Sequence, residues 1–123
     1  MIYVGSMTTP TVMALEAPDP PRDIAYITAR GQDVTIDGIP IVNPPWGRIT
    51  ALDLKTGTIA WQIANADTPE KYRNHPLLQG VDLPRTGIQT RAGLLVTKSL
   101  LFAGEGWGGS PVLRAHDKLS GEI

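Results

Sequence analysis

Cysteine is absent from the 123 residues, so disulfides, thiolate zinc sites and cysteine nucleophiles are excluded. That absence leaves the compartment open. An excess of one charge is lacking too: 11 basic and 12 acidic residues are mixed along the chain, for a net charge of −1. No run of Lys and Arg marks a nucleic-acid or membrane-surface partner, and no nucleic acid is expected. No apolar run approaches the ~18 residues that begin to span a bilayer. No N-terminal stretch shows the charged-then-apolar order of a signal peptide, and "MIYVGSM" reads instead like the middle of a strand. Phosphate-cradling Gly-Lys-Ser/Thr loops and Gly-x-Ser-x-Gly elbows are missing. Two isolated histidines, His75 and His116, do not make a metal site. His75, beside Pro76, reads as a structural loop residue, and His116 as packed or solvated on a strand. Finally, no segment keeps an i, i+3, i+4, i+7 apolar pattern for three turns, so long amphipathic helices are not expected.

What is present is turn chemistry and short strands. Thirteen Gly and 11 Pro suit a turn-rich β protein. Strand-like runs cover 2–6, 11–16, 24–28, 48–54, 58–63, 94–97, 100–104 and 112–117. Between them stand "APDPPRD", "DGIPIVNPPWG", "KTG" and "GEGWGGSP". Residues 64–90 form an irregular insert with Pro69, Pro76 and Pro84, and inserts of that length are usually functional or poorly ordered. In "GRITALDLKTGTIAWQI" neither face of the strand is strongly polar, so it wants sheets packed on both sides. Asp53 is suited to capping the hairpin turn and Gly57 to left-handed backbone, with Trp61 as the aromatic anchor.

The pattern Ala-x-Asp-x-x-[Thr/Ser]-Gly occurs twice, at Ala51–Gly57 and, 64 residues on, at Ala115–Gly121. A weaker echo lies at Ala14-Leu15-Glu16. Asp53 and Asp117 hold the same place in the repeat, so both read as turn acids rather than as catalytic carboxylates. "SLLFAGEG" before the last copy resembles "MIYVGS" before the first. Units of this length with several short strands each are the signature of a β-propeller. The expected fold is all-β: about two four-stranded antiparallel blades of a partial β-propeller, over a single domain 1–123. Two blades cannot close a ring, so the chain reads as a fragment that needs the remaining blades of a parent chain. The second copy ends at Ile123, before a residue matching Trp61. Residues 118–123 are therefore expected to be the least well held.

The motif Ala51-x-Asp53-x-x-Thr56-Gly57-x-x-x-Trp61 resembles the tryptophan-docking motif of eight-bladed propellers in pyrroloquinoline quinone (PQQ) dependent dehydrogenases. "PPWGRITALDLKTGTIAWQ" looks like a late blade of the membrane-bound, glucose dehydrogenase-like branch of these quinoproteins. "AGLLVTKSLLFAGEG" with "LRAHDKLSGE" looks like the blade that follows. Non-enzymatic propellers, such as outer-membrane assembly lipoproteins, carry the docking motif as well; a scaffold without cofactor is the alternative.

The resemblance implies oxidation of an alcohol or aldose sugar, PQQ as cofactor, and a quinone or cytochrome electron acceptor. It implies a periplasmic parent, membrane-anchored in some relatives. Trp61 would wedge between blades. The quinone would lie against the loops Gln89–Ala92 and Glu105–Gly109, which makes Thr90, Arg91, Glu105, Gly106 and Trp107 the candidate cofactor contacts. Trp107 offers a ring to stack, with packing on a neighbouring blade as the alternative. Arg91 offers a guanidinium to a quinone carboxylate, or a surface charge. Glu105 reads as a cofactor contact or an exposed loop acid. The catalytic Asp and the ligands of a calcium or magnesium ion would come from blades outside this chain, leaving no catalytic or metal residue within it.

Overall fold

A computed structural model describes residues 1–29 and 31–123. In chain order the strands are β1 (Ile2–Met7), β2 (Thr11–Val12), β3 (Leu15–Glu16), β4 (Ile27–Thr28), β5 (Gln32–Asp33), β6 (Thr35–Ile36), β7 (Ile39–Pro40), β8 (Gly47–Asp53), β9 (Thr58–Ala64), β10 (Gly93–Val96), β11 (Leu100–Gly104) and β12 (Leu113–Asp117). One short helix, α1 (Glu70–Arg73), and a 3-10 turn, Pro76–Leu78, lie between β9 and β10. None of the described helices is long and apolar enough to cross a membrane. The chain divides into two compact units, Met1–Thr8 with Pro44–Ile123, and Thr9–Asn43.

The larger unit holds two antiparallel sheets, ordered β1-β8-β9 and β10-β11-β12. The expected hairpin is present: Asp53 Oδ1 accepts the Lys55 N–H at 2.8 Å, and Gly57 adopts φ +70. The second copy builds the same turn. Asp117 Oδ1 accepts the N–H groups of Leu119 and Ser120 at 2.8 and 2.9 Å, and Gly121 adopts φ +80. Both aspartates are turn acids, as their repeat positions imply.

Each sheet has three strands where four were expected. The runs at 11–16 and 24–28 do not extend the first sheet. They break into β2, β3 and β4, and pair within the smaller unit as the two-residue ladders β2·β5 and β3·β4. The echo at Ala14-Leu15-Glu16 therefore lies outside the blade repeat and has no hairpin after it. Matched on the motif, β8 corresponds to β12 and β1 to β11. Between β1 and β8 the chain makes the smaller unit; between β11 and β12 it makes only the short loop Glu105–Val112.

The core lies between the two sheets. Ile49, Leu101 and Ala103 are buried, with Tyr3, Trp61, Ile63 and Leu94 packed against them. Ala51, opposite Trp61 in the ladder, is fully buried. Trp61 wedges between the sheets, as the resemblance implied. Its indole N–H donates to the Lys118 carbonyl at 3.2 Å, and the Tyr3 hydroxyl donates to the same carbonyl at 2.9 Å. The Tyr3 and Trp61 rings sit 5.8 Å apart, tilted by 42°.

Residues 118–123 are not the loosest part of the unit, contrary to expectation. Gly121 is buried against Trp61, the Glu122 carbonyl accepts the Asp117 N–H at 2.7 Å, and Gly121 O lies 2.9 Å from His116 Nδ1. A carbonyl only accepts, so that ring nitrogen of the buried His116 carries its proton toward Gly121. The turn that receives Trp61 is held by Trp61, and needs no tryptophan of its own for this.

Two outcomes follow from the turn geometry. Gly57→Ala is expected to cost about 1 kcal/mol through its left-handed backbone alone, since nothing lies within 4 Å of a Cβ there. Gly121→Ala is expected to cost roughly 2–4 kcal/mol, because a Cβ would sit 2.9 Å from the Trp61 ring. Urea unfolding of both variants measures the difference. The second outcome concerns pH. The N–H bonds from Ser120 and Leu119 hold the Asp117 carboxyl below its ordinary value of 3.8. A depressed pKa contributes stability above the unfolded value that is lost as pH falls through the folded one. The Trp61 indole N–H resonance is thus expected to lose its docked position below about pH 4, and Asp117→Asn to flatten that dependence.

Candidate functional site

The motif turns lie at one end of the two sheets. At the other end β9 runs out at Ala64, opposite Arg48, and Gly93, Gly104 and Leu113 pair across the second sheet. Two loops leave this end, residues 64–92 and 105–112. Asn65, buried, ties them together. Its N–H donates to the Gly47 carbonyl at 2.9 Å, its carbonyl accepts the Ile88 N–H at 2.9 Å, and its side-chain amide reaches the Glu105 carbonyl at 3.5 Å. Ala66 follows at φ +72, a left-handed conformation that costs an alanine about 1–2 kcal/mol. Buried Thr68 accepts the Thr86 N–H at 3.1 Å and donates to the Pro84 carbonyl at 3.2 Å. Trp46 packs on Tyr72 of α1 with centroids 4.5 Å apart, and both are buried. Lys71 Nζ stands 4.6 Å from the Tyr72 ring centroid.

Glu105 organises the shorter loop. It is buried at 5 % exposure, and its Oε1 pairs with Arg114 Nη1. Its Oε2 accepts the Ser110 N–H at 2.8 Å, and its carbonyl accepts the Thr90 hydroxyl. Arg114 reaches on to Asp67 at 3.2 Å, and Asp67 to Arg85 at 3.0 Å. The four charges alternate in sign along this path and clasp the two loops together. Gly106 completes the clasp: at φ +85 it passes so close to Arg91 that a Cβ would lie 2.1 Å from the Arg91 carbonyl oxygen.

Between the loops lies an open cleft of about 730 Å³, within the size range of small-molecule sites. Trp46, Tyr72, Asp67, Arg114, Thr90 and Trp107 are among its walls. Trp107 stands at 96 % exposure in the glycine-rich loop.

A family model for the β-propeller domain of PQQ glucose/ethanol/alcohol dehydrogenases matches residues 6–123. The chain belongs to this family. No curated protein and no solved structure matches it. The all-β architecture, with antiparallel sheets and almost no helix, is that of a partial propeller of the PQQ dehydrogenase type.

Against that family background the five candidate residues separate. Trp107 is at the rim with its ring uncovered. Thr90 and Glu105 also line the cleft, but the Thr90 hydroxyl and the Glu105 carboxylate are engaged in the clasp. Gly106 serves the loop backbone. Arg91 is exposed and falls outside the cleft lining. His75 caps the 3-10 turn, accepting the Leu77 N–H at 3.2 Å through Nδ1. Trp46, Asn65, Asp67, Tyr72 and Arg114 were not foreseen. One signal was available for Arg114: the repeat has Thr50 at the matching position, so the charge marks a departure from the pattern. Among the described residues no group of three or more His, Asp or Glu gathers to hold a metal ion.

The clasp yields a direct test. Glu105→Gln keeps an acceptor for Ser110 but leaves Arg114 without its buried counter-charge. It is expected to cost about 3 kcal/mol, and to speed hydrogen exchange at the Ser110 amide more than at the Leu101 amide of the core.

Proposed function

We propose that this chain forms one wall of the quinone cavity in a PQQ-dependent dehydrogenase oxidising an alcohol or aldose sugar, on the glucose dehydrogenase-like branch. One observation carries the reading: a fully uncovered tryptophan, Trp107, stands on a glycine-rich loop over a cleft walled by aromatic and charged side chains. A flat ring needs such a face, and the clasp ties down both ends of the loop that carries it. When bound there, PQQ supplies the two-electron oxidation that side chains alone do not provide. Trp107 gives the stacking face. Lys71 supplies positive charge toward carboxylates, and Arg114 holds the clasp. Glu105, Gly106 and Thr90 position the loop, and Arg91 provides the carbonyl against which Gly106 rests.

In this reading the catalytic Asp, the divalent ion with its ligands, and the contacts to a quinone or cytochrome acceptor belong to the remaining blades. Catalysis is then a property of the closed ring, and the location is periplasmic. A cofactor-free scaffold propeller is the second reading. It is favoured by the pairing of the cleft carboxylates Asp67 and Glu105 with arginines, which leaves neither as a ready base.

Equilibrium dialysis against PQQ distinguishes the two. Trp107→Ala is expected to raise Kd about tenfold, the worth of one stacked aromatic. Trp107→Phe is expected to keep most of the affinity. Equal Kd in wild type and Trp107→Ala removes Trp107 from the site, and no binding by any form favours the scaffold.

A further inference from the structure

Two carboxylates hold Arg114, and they differ in what it costs to let go. Glu105 is buried, with one oxygen on Arg114 and the other on the Ser110 N–H. Breaking a buried ion pair leaves an uncompensated charge out of water, so this carboxylate stays. Asp67 is the opposite case. Its side chain is 54 % exposed, with Oδ1 on Arg85 Nε at 3.0 Å and Oδ2 on Arg114 Nη2 at 3.2 Å. An exposed pair of this kind contributes little, because water replaces most of what the partner gave. Letting go of Arg114 does not leave Asp67 alone either, since the half-exposed Arg85 keeps the other oxygen. The backbone can stay where it is: Asn65 and Thr68, on either side, are buried and hydrogen-bonded. Rotation of one side chain is enough.

Asp67 and Arg114 both line the cleft. The charged side chains of its walls are Asp67, Glu70 and Glu105 against Lys71, Arg73 and Arg114, so the signs balance. An anion therefore meets no net attraction while Asp67 stands on Arg114. When Asp67 turns away, Glu105 still holds the other arm of Arg114, and Nη2 keeps its aim. A guanidinium N–H fixed in this way is a charge-assisted donor for another carboxylate. The aromatic walls Trp46, Tyr72 and Trp107 favour a flat body behind that carboxylate.

We propose, resting on the reading of the cleft as a cavity for a flat ring, that Asp67 is a built-in competitor of the ligand. Its carboxylate occupies the place on Arg114 that a carboxylate of a planar aromatic acid takes on binding. The cleft thus neutralises itself, and the ligand enters by exchange of one carboxylate for another.

Equilibrium dialysis with naphthoate, its uncharged amide naphthamide, and PQQ tests the exchange. Asp67→Asn removes the charge and keeps the shape; Asp67→Ser is the second variant, and circular dichroism checks that both fold. Each is expected to bind naphthoate and PQQ at least about tenfold more tightly than wild type, the effect of removing one like charge close to the ligand carboxylate. Naphthamide is expected to bind all forms alike. The Ser110 amide is expected to exchange hydrogen at the wild-type rate in both variants, because Glu105 still holds Arg114. Equal carboxylate affinity in wild type and both variants overturns the proposal, as does no carboxylate bound by any form. An equal gain for naphthamide, or faster exchange at Ser110, overturns it too. A gain for naphthoate with no PQQ bound by any form supports the competitor and removes the quinone from the cleft, so the two fail separately.

Discussion

The seating of Trp61 on the turn of the next repeat is the contact on which the rest of the larger unit depends. Its indole N–H meets the Lys118 carbonyl, and its ring lies against Gly121, where a side chain would collide. Tyr3 donates to the same carbonyl from the opposite edge strand of the first sheet, β1. One carbonyl thus receives two aromatic donors from across the joint. An aromatic anchor adds a large buried area and a hydrogen bond whose direction is specified. The narrow core of Ile49, Leu101 and Ala103 closes only when the sheets are brought to that distance. The Asp117 turn matters for the same reason: its carboxylate arranges the backbone that presents Lys118 and Gly121 to the ring.

At the far end of the sheets the joint is made differently. There, polar groups span the gap: Asn65 through its bonds to the Gly47 and Glu105 carbonyls, and Arg114, held by Glu105, through its ion pair with Asp67. Buried polar networks are costly unless satisfied, and this one is satisfied on nearly every atom named. The result is a firm rim with an open cleft above it.

Much of the architecture was legible. The turn chemistry of Asp53-Gly57 and Asp117-Gly121 and Trp61 as anchor appeared as read, because each is a local pattern whose meaning does not change with context; strict alternation over 58–63 did not hold, since a bulge opposite Ala51 and Leu52 pairs Ile59 with Leu52 and turns it away from the face of Trp61 and Ile63. The loops at 89–92 and 105–109 do meet at the cleft. Less was legible where partners are distant. The run at 11–16 has strand composition but pairs with 27–28 and 32–33, and no local pattern says which edge a strand will choose. The Asp37-Gly38 turn between β6 and β7 was a hairpin signal taken only as punctuation. Glu105 was read as exposed or ligand-facing, since its buried counter-charge at Arg114 comes from the following strand and is visible only once the loop is folded back.

By itself the sequence determined the class, the repeat and its turns. Backbone preferences of Gly and Asp, and the two-residue period of strands, act over a few residues and are written there. The tertiary structure alone decided that the last turn is held rather than loose and that the acids of the cleft are paired. Each of those depends on which distant groups share space and on what they exclude from water, and that is settled only when the sheets pack.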